Sequence, residues 1–162
     1  MTTGPAVEQT GRMRPTDPPA LRGPWDAATI ERYLDDTVIP VRLATGGRSG
    51  PIVQSLWFEH VDGSLWCATQ ADALVVRRLE RDPRCGFEVA RDDPPYRGLR
   101  GTGAASVVPE AGVAVLRRLL TRYLGGTTSG LAQWLLARSE SEVALRVVPR
   151  TLTSWDYSAR MS

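Results

Sequence analysis

The sequence predicts a mainly β (α+β) fold, a small antiparallel barrel of six to seven short strands with three to four flanking helices. Three observations lead there. Between Val38 and Val108 the apolar residues fall in short runs of strand-like period. Glycine, proline and aspartate clusters separate those runs, at Gly46-Gly47-Arg48-Ser49-Gly50, Asp62-Gly63 and Asp92-Asp93-Pro94-Pro95. A few stretches of helical period lie among and after them.

Residues 1–23 are rich in Pro, Gly, Thr and Arg and are expected to form a disordered or loosely packed arm, leaving 24–162 as the domain. Asp26 is placed to cap a short helix whose buried stripe is Ile30 and Leu34. Val38 to Thr45 reads as a strand. Pro51 to Glu59 reads as a second, with Ile52, Leu56 and Phe58 on one face and Val53, Ser55 and Trp57 on the other. Both faces are largely apolar, as in a covered sheet or a barrel. Asp62-Gly63 is a hairpin signal leading into the strand Leu65 to Thr69. Asp72 is expected to cap a helix with stripe Leu74, Val75 and Leu79, which must end before Pro83. Arg84 to Arg91 and Tyr96 to Val108 read as strands. Glycines at 98, 101 and 103 predict a bend or bulge in the second of these. Glu110 to Leu124 has the spacing of an amphipathic helix (Val113, Leu116, Leu120, Leu124) stopped by Gly125-Gly126. Ser129 opens a shorter helix, and 143–148 and 151–155 read as two closing strands.

Composition excludes several chemistries. The 42% apolar and 23% charged fractions are those of a globular chain. A net charge of +2 does not argue for nucleic acid or an anionic membrane. All twenty basic residues are arginine, so no P-loop, Schiff-base or kinase-type lysine exists. Cys67 and Cys85 fall in strands and read as small buried hydrophobes. One histidine and no CxxC leave no zinc site, and no metal is expected. No signal peptide is recognisable in Met1 to Gly23, and no apolar run is long enough for a membrane helix. A cytoplasmic protein is the expectation.

Most short motifs read as structure. Gly47-Arg48-Ser49-Gly50 has its second glycine misplaced for a nucleophile elbow and sits in a turn. Gly98 to Gly103 lacks dinucleotide-binding spacing. His60, beside a hairpin turn, reads as a surface histidine. Arg77, Arg78, Arg81 and Arg84 form the densest basic cluster. They read either as a solvated face paired with Glu80 and Asp82 or as an anion site beside Thr69 and a helix N-terminus.

The ordered set Leu43-Ala44-Thr45, Gly50-Pro51, Trp57-Phe58, Asp62-Gly63, Ala68-Thr69, Arg77, Leu79 and Arg81-Asp82-Pro83-Arg84 resembles the pyridoxamine 5'-phosphate oxidase-like split β-barrel. Pro94-Pro95-Tyr96-Arg97-Gly98, Gly101-Thr102-Gly103-Ala104 and Thr153-Ser154-Trp155-Asp156 most resemble its actinobacterial flavin/deazaflavin oxidoreductase branch. The resemblance spans roughly residues 25–160. It implies a homodimer with FMN or coenzyme F420 at the subunit interface. By position, Val53, Gln54 and Ser55 would run under the ring, Thr69, Arg77 and Arg78 would lie near the phosphate, and Trp155 near the ring or substrate. The branch's phosphate-binding serine and lysine align with Ala73 and Val75, a departure that puts tight cofactor binding in question.

Two functions follow from the resemblance. The first is a flavin- or deazaflavin-dependent oxidoreductase moving a hydride between reduced cofactor and a small organic substrate, with Tyr96 or a water as candidate proton donor. The second, which the Ala73 and Val75 departure favours, is a non-enzymatic ligand-binding dimer, a carrier or sensor. Pyridoxamine-phosphate oxidation itself is disfavoured, because Trp155-Asp156-Tyr157-Ser158 supplies no histidine.

Overall fold

The computed structural model describes residues 17–161. Its eight strands form one sheet: β1 (Ala20–Arg22), β2 (Val41–Thr45), β3 (Ile52–Leu56), β4 (Phe58–Val61), β5 (Ser64–Gln70), β6 (Arg84–Ala90), β7 (Arg97–Val108) and β8 (Glu142–Asp156). Four helices flank it: α1 (Ala27–Asp36), α2 (Leu74–Arg81), α3 (Gly112–Leu124) and α4 (Gly130–Leu136). The strand order is β3-β2-β6-β7-β8-β5-β4, antiparallel throughout, with β1 joining β8 in parallel. The two ends of this path, β3 and β4, are separated in the chain only by Trp57. A single residue cannot span a flat sheet, so the sheet curls until its edges nearly meet. The predicted fold class, a split barrel with flanking helices, is the one observed.

Inward-facing residues of this curl make the main core: Val41 and Leu43 of β2, Phe58, Leu65, Phe87, Val89, Leu99, Leu145 and Val147, plugged by α1 and α2. Asp26 caps α1 by accepting from the Thr29 amide at 2.8 Å, and Ile30 and Leu34 are its buried stripe. Arg122 of α3 locks the other end of α1, donating to the carbonyls of Leu34 and Thr37 at 3.0 and 2.7 Å. On the sheet's opposite face α3 buries Val115 and Leu119 against Ala144, with Trp57, Trp66 and Tyr123 at the edge. Asp62 (φ 49°) and Gly63 (φ 69°) make the tight left-handed turn of the β4–β5 hairpin. The β7–β8 ladder shifts register between Thr102 and Gly103, where the glycines foretold an irregularity.

Several local expectations are corrected. Pro51 to Glu59 is two strands, because the chain leaves β2 and joins β5 at Trp57. Trp57 stacks on Tyr123 (centroids 4.9 Å, planes 11° apart) and does not share an outer face with Val53. Gln54, not Phe58, accompanies Ile52 and Leu56 on the half-buried face of β3. The two closing strands are one, β8, which carries Pro149 opposite Gly103 at the irregularity. The N-cap of α2 is Ala73, with no side-chain hydrogen bond, so Asp72 does not cap it. Leu74 is 45% exposed, and Val76 takes its place in the buried stripe. Val113 of α3 is likewise exposed, and Val115 and Leu119 are buried. Ala20–Arg22, assigned from sequence to the loose arm, pair with Thr151–Thr153. The rest of that arm up to residue 16 lies outside the described residues. No helix among the described residues is long and apolar enough to cross a membrane.

Candidate functional site

The β2–β3 turn and α2 enclose a cavity of about 670 Å³ lined by Gly46, Gly47, Arg48, Ser49, Leu74, Arg77, Arg78, Arg81 and Asp82. Helical periodicity puts Arg77, Arg78 and Arg81 there, since residues at i, i+1 and i+4 border one side of α2 while Val75, Val76 and Leu79 face the core. Arg78 is structural in part: its guanidinium donates to the carbonyls of Thr45 (3.1 Å) and Gly50 (3.0 Å) and so pins the turn. Gly47 permits that contact, because a Cβ there would lie 2.6 Å from the Arg78 guanidinium carbon. Arg77 reaches the Asp72 carbonyl. The side chains of Arg48 and Arg81 make no hydrogen bond or ion pair among the described residues.

Asp82 is the one acid in this lining, and it is already engaged. Arg84 clamps it through Nε (2.9 Å) and Nη2 (2.7 Å), and those hydrogen bonds hold its carboxyl down to about 2. Four guanidinium groups therefore face one neutralised carboxylate. The uncapped amides opening α2 lie beside Leu74. This is the chemistry of an anion site, and guanidinium forks suit phosphate oxygens.

The cavity opens onto the outer face of the sheet. An adjoining cavity of about 500 Å³ shares Gly46 and Asp82 with it. A third, of about 520 Å³, shares Ala44, Gly86 and Thr102 with the second and ends at Val53. Strand register explains the floor: Ala44 stands opposite both Val53 and Gly86, and Gly86 opposite Thr102, on the face away from the core. Four small or flat residues in a row leave a smooth bed. Arg42, bonded to Glu88 at 3.4 Å and to Asp92 at 2.7 Å, borders it. Cys85 touches the middle of the groove, but burial pushes its thiol up to about 11, so it stays protonated and unreactive.

Of the residues singled out from sequence, Arg77, Arg78 and Val53 lie along this groove. Ser55 is exposed on the same strand face but opposite Arg42, beyond the lining. Gln54 points the other way, with its side-chain oxygen buried and unpartnered. Thr69 is half-buried on β5 opposite Val143, and Trp155 half-buried on β8 opposite Gly98, neither lining the groove. Tyr96 is exposed, its carbonyl accepting from the Tyr157 amide. His60 is not on open surface: its ring is 10% exposed and bonded to Asp35 at 2.8 Å. Val75, aligned with the branch's lysine, is fully buried in the core. Sequence reasoning passed over Ala44, Gly86, Leu74 and Arg48. Only the β2–β3–β6 register and the folding of the turn over α2 bring them to the groove.

Comparison with solved structures shows the fold of the pyridoxamine-phosphate-oxidase-like split barrels. No family model matches the chain, and no curated protein matches it. A conserved hypothetical protein from Mycobacterium tuberculosis superposes with a TM-score of 0.71 at 29% identity, covering 85% of this chain and 89% of that one. An F420 reductase superposes at 0.63 and 25% identity, covering 75% and 94%. A Listeria innocua protein provisionally assigned as a pyridoxamine 5'-phosphate oxidase gives 0.61 at 16% identity, covering 78% and 95%.

Proposed function

We propose that this protein is an oxidoreductase of the split-barrel class that works as a homodimer with coenzyme F420 or FMN. The observation that carries the reading is the four-arginine cavity continuous with a smooth sheet face. The donor set fits a phosphate-bearing planar cofactor: guanidinium groups for the phosphate, and Ala44, Gly86 and Val53 as a floor for a ring. The 25%-identical F420 reductase favours the deazaflavin.

In this reading the cofactor, when bound, supplies hydride chemistry. The chain supplies binding and orientation. Arg77 and Arg81 hold the phosphate, and Arg78 keeps the Gly46–Gly50 turn folded so that Arg48 faces it. The bed confines the ring to one plane, and a two-fold mate covers it and excludes water. Glu88 and Asp82 are committed to arginines and Cys85 stays a thiol, so no group in the groove lining is poised to move a proton. Water or the mate must supply one.

That lack is the specific observation favouring the second reading, a ligand-binding carrier or sensor. Titration with FMN and with F420, followed by cofactor fluorescence, separates the two. Oxidoreductase function expects roughly micromolar binding of one cofactor and turnover of its reduced form with a small quinone. Binding without turnover supports the carrier. Absence of binding for both cofactors rejects the phosphate-site assignment.

A further inference from the structure

A second cavity, about 490 Å³, lies between α1 and the β6–β7 loop and shares no lining residue with the groove. The N-terminal strand builds its wall. After β1 the chain turns at Gly23 (φ +92°), where a Cβ would sit 2.1 Å from the Ser154 carbonyl oxygen. The Trp25 amide then donates to Ser154 Oγ at 3.0 Å. That anchor sets the Trp25 ring against Tyr33, centroids 4.8 Å apart and planes inclined 45°. The Tyr33 hydroxyl is held in turn by the Val89 and Arg97 carbonyls, each at 3.4 Å.

Charges of both signs line the same space, and their commitments differ. Arg91 is paired with Asp93 at 2.7 Å. Asp156 accepts from the amide and hydroxyl of Ser158. Arg97's guanidinium makes no direct side-chain hydrogen bond among the described residues, although it stands across the β7–β8 ladder from Asp156 and its charge acts on Asp156 and Asp93. Asp36's carboxylate has no side-chain hydrogen-bond or ion-pair partner among them. Arg32 reaches only Thr29 Oγ1, at 3.4 Å. The cavity thus offers an aromatic wall, two guanidinium forks with donors to spare, and one unpaired carboxylate.

We infer that this cavity binds a small aromatic zwitterion, of the class of an aromatic α-amino acid. Arg97, with Arg32, takes the ligand carboxylate in a guanidinium fork. Asp36 takes the ammonium, and the ring lies against Trp25 and Tyr33. The volume is that of a small-molecule site, ordinarily about 300–1,000 Å³. Charge complementarity selects the zwitterion. A plain aromatic acid leaves Asp36 unpaired beside the ligand anion, and a plain aromatic amine brings a cation beside Arg97 and leaves its guanidinium fork unfilled.

The test uses the full chain with L-phenylalanine, phenylacetate and phenethylamine, followed by calorimetry and by tryptophan fluorescence. L-Phenylalanine is expected to bind below about 1 mM, and about tenfold or more tightly than either singly charged analogue. Arg97→Gln and Asp36→Asn should each weaken it about tenfold, with thermal unfolding confirming that both fold. Trp25→Phe should abolish the fluorescence change while calorimetric binding persists. Failure of L-phenylalanine to bind, phenylacetate or phenethylamine binding as tightly, or unchanged affinity in both folded charge variants overturns the assignment. If a charge variant does not fold, the selectivity among the three ligands on the parent chain decides.

Discussion

Arg77 and Arg84 border the same groove but are held differently. Arg77 faces the arginine cavity with only the Asp72 carbonyl as partner, whereas Arg84 is spent on Asp82. Arg77→Ala should therefore cost about 2–3 kcal/mol of cofactor binding, the worth of a charge-assisted bidentate contact. Arg84→Ala should weaken it far less, only through the freed Asp82 carboxylate competing with the ligand phosphate. Calorimetry on the two variants checks the contrast, and equal losses would mean that only overall potential matters. The resemblance suggests restoring a lysine at Val75, but the structure moves that experiment by one residue. Val75 has no exposed surface, and an ammonium there costs several kcal/mol of stability. Leu74 lines the cavity, so Leu74→Lys should tighten binding while Val75→Lys lowers the melting temperature. Periodicity announced the buried face of α2 but not its exact phase. The helix begins one residue later than an Asp72 cap would dictate, and packing of Val75, Val76 and Leu79 on the core turns Leu74 toward the cavity. A pH effect belongs to another residue. Glu142 is buried, and desolvation, only partly offset by its bond from Gln70, raises its carboxyl above the ordinary 4.5. A carboxyl raised on folding contributes stability at acid pH that is lost as pH rises through its folded value. Denaturant unfolding should show that decline above pH 4.5 in the parent chain, and Glu142→Gln should flatten it.

At the scale of elements, what was legible is what short-range chemistry decides. Asp26 and Ser129 cap their helices, Asp62-Gly63 turns its hairpin, and Gly125 ends α3 with φ +73°, each fixed by residues a few positions apart. What was not legible depends on partners far along the chain. The break at Trp57 exists because β3 pairs with β2 while β4 pairs with β5, a decision taken by the closure of the sheet. β1 is the sharper case. Ala20–Arg22 carry no strand signature, and only the free edge of β8 beside Thr151–Thr153 orders them. The expectation of a loose arm over residues 1–23 is thereby divided at β1. Removing residues 1–19 should leave the melting temperature unchanged. Removing 1–23 deletes β1 and the Gly23 turn that delivers Trp25 to Tyr33, and should lower it by several degrees. Differential scanning calorimetry on the two truncations distinguishes a structural strand from a passive tail.

For the whole molecule, the outer face of β3, β2, β6 and β7 poses a question that a single chain does not answer. Val53 is 64% exposed at its rim, and Ala44, Gly86 and Thr102 lie flat across its centre. Trp57, expected from sequence on the same face as Val53, is half-buried against Tyr123 and adds nothing to that face. A dimer is proposed here on a different ground. A bed of small residues gives a planar ring no side walls, so a lone subunit leaves the ring's far face in water. In the proposed dimer, a two-fold mate laid over the same bed would close it, repeat the site by symmetry, and bury Val53 in the process. Light scattering at micromolar concentration should then report twice the 17.7 kDa chain mass. Val53→Arg puts a charge on the exposed face that the proposed mate would cover, and should yield monomers. If dimerisation creates the cofactor site, those monomers should also lose cofactor affinity by about tenfold or more while keeping the parent circular dichroism spectrum. A parent chain that scatters as a monomer, or a monomeric variant that binds cofactor undiminished, would place the whole site within one barrel.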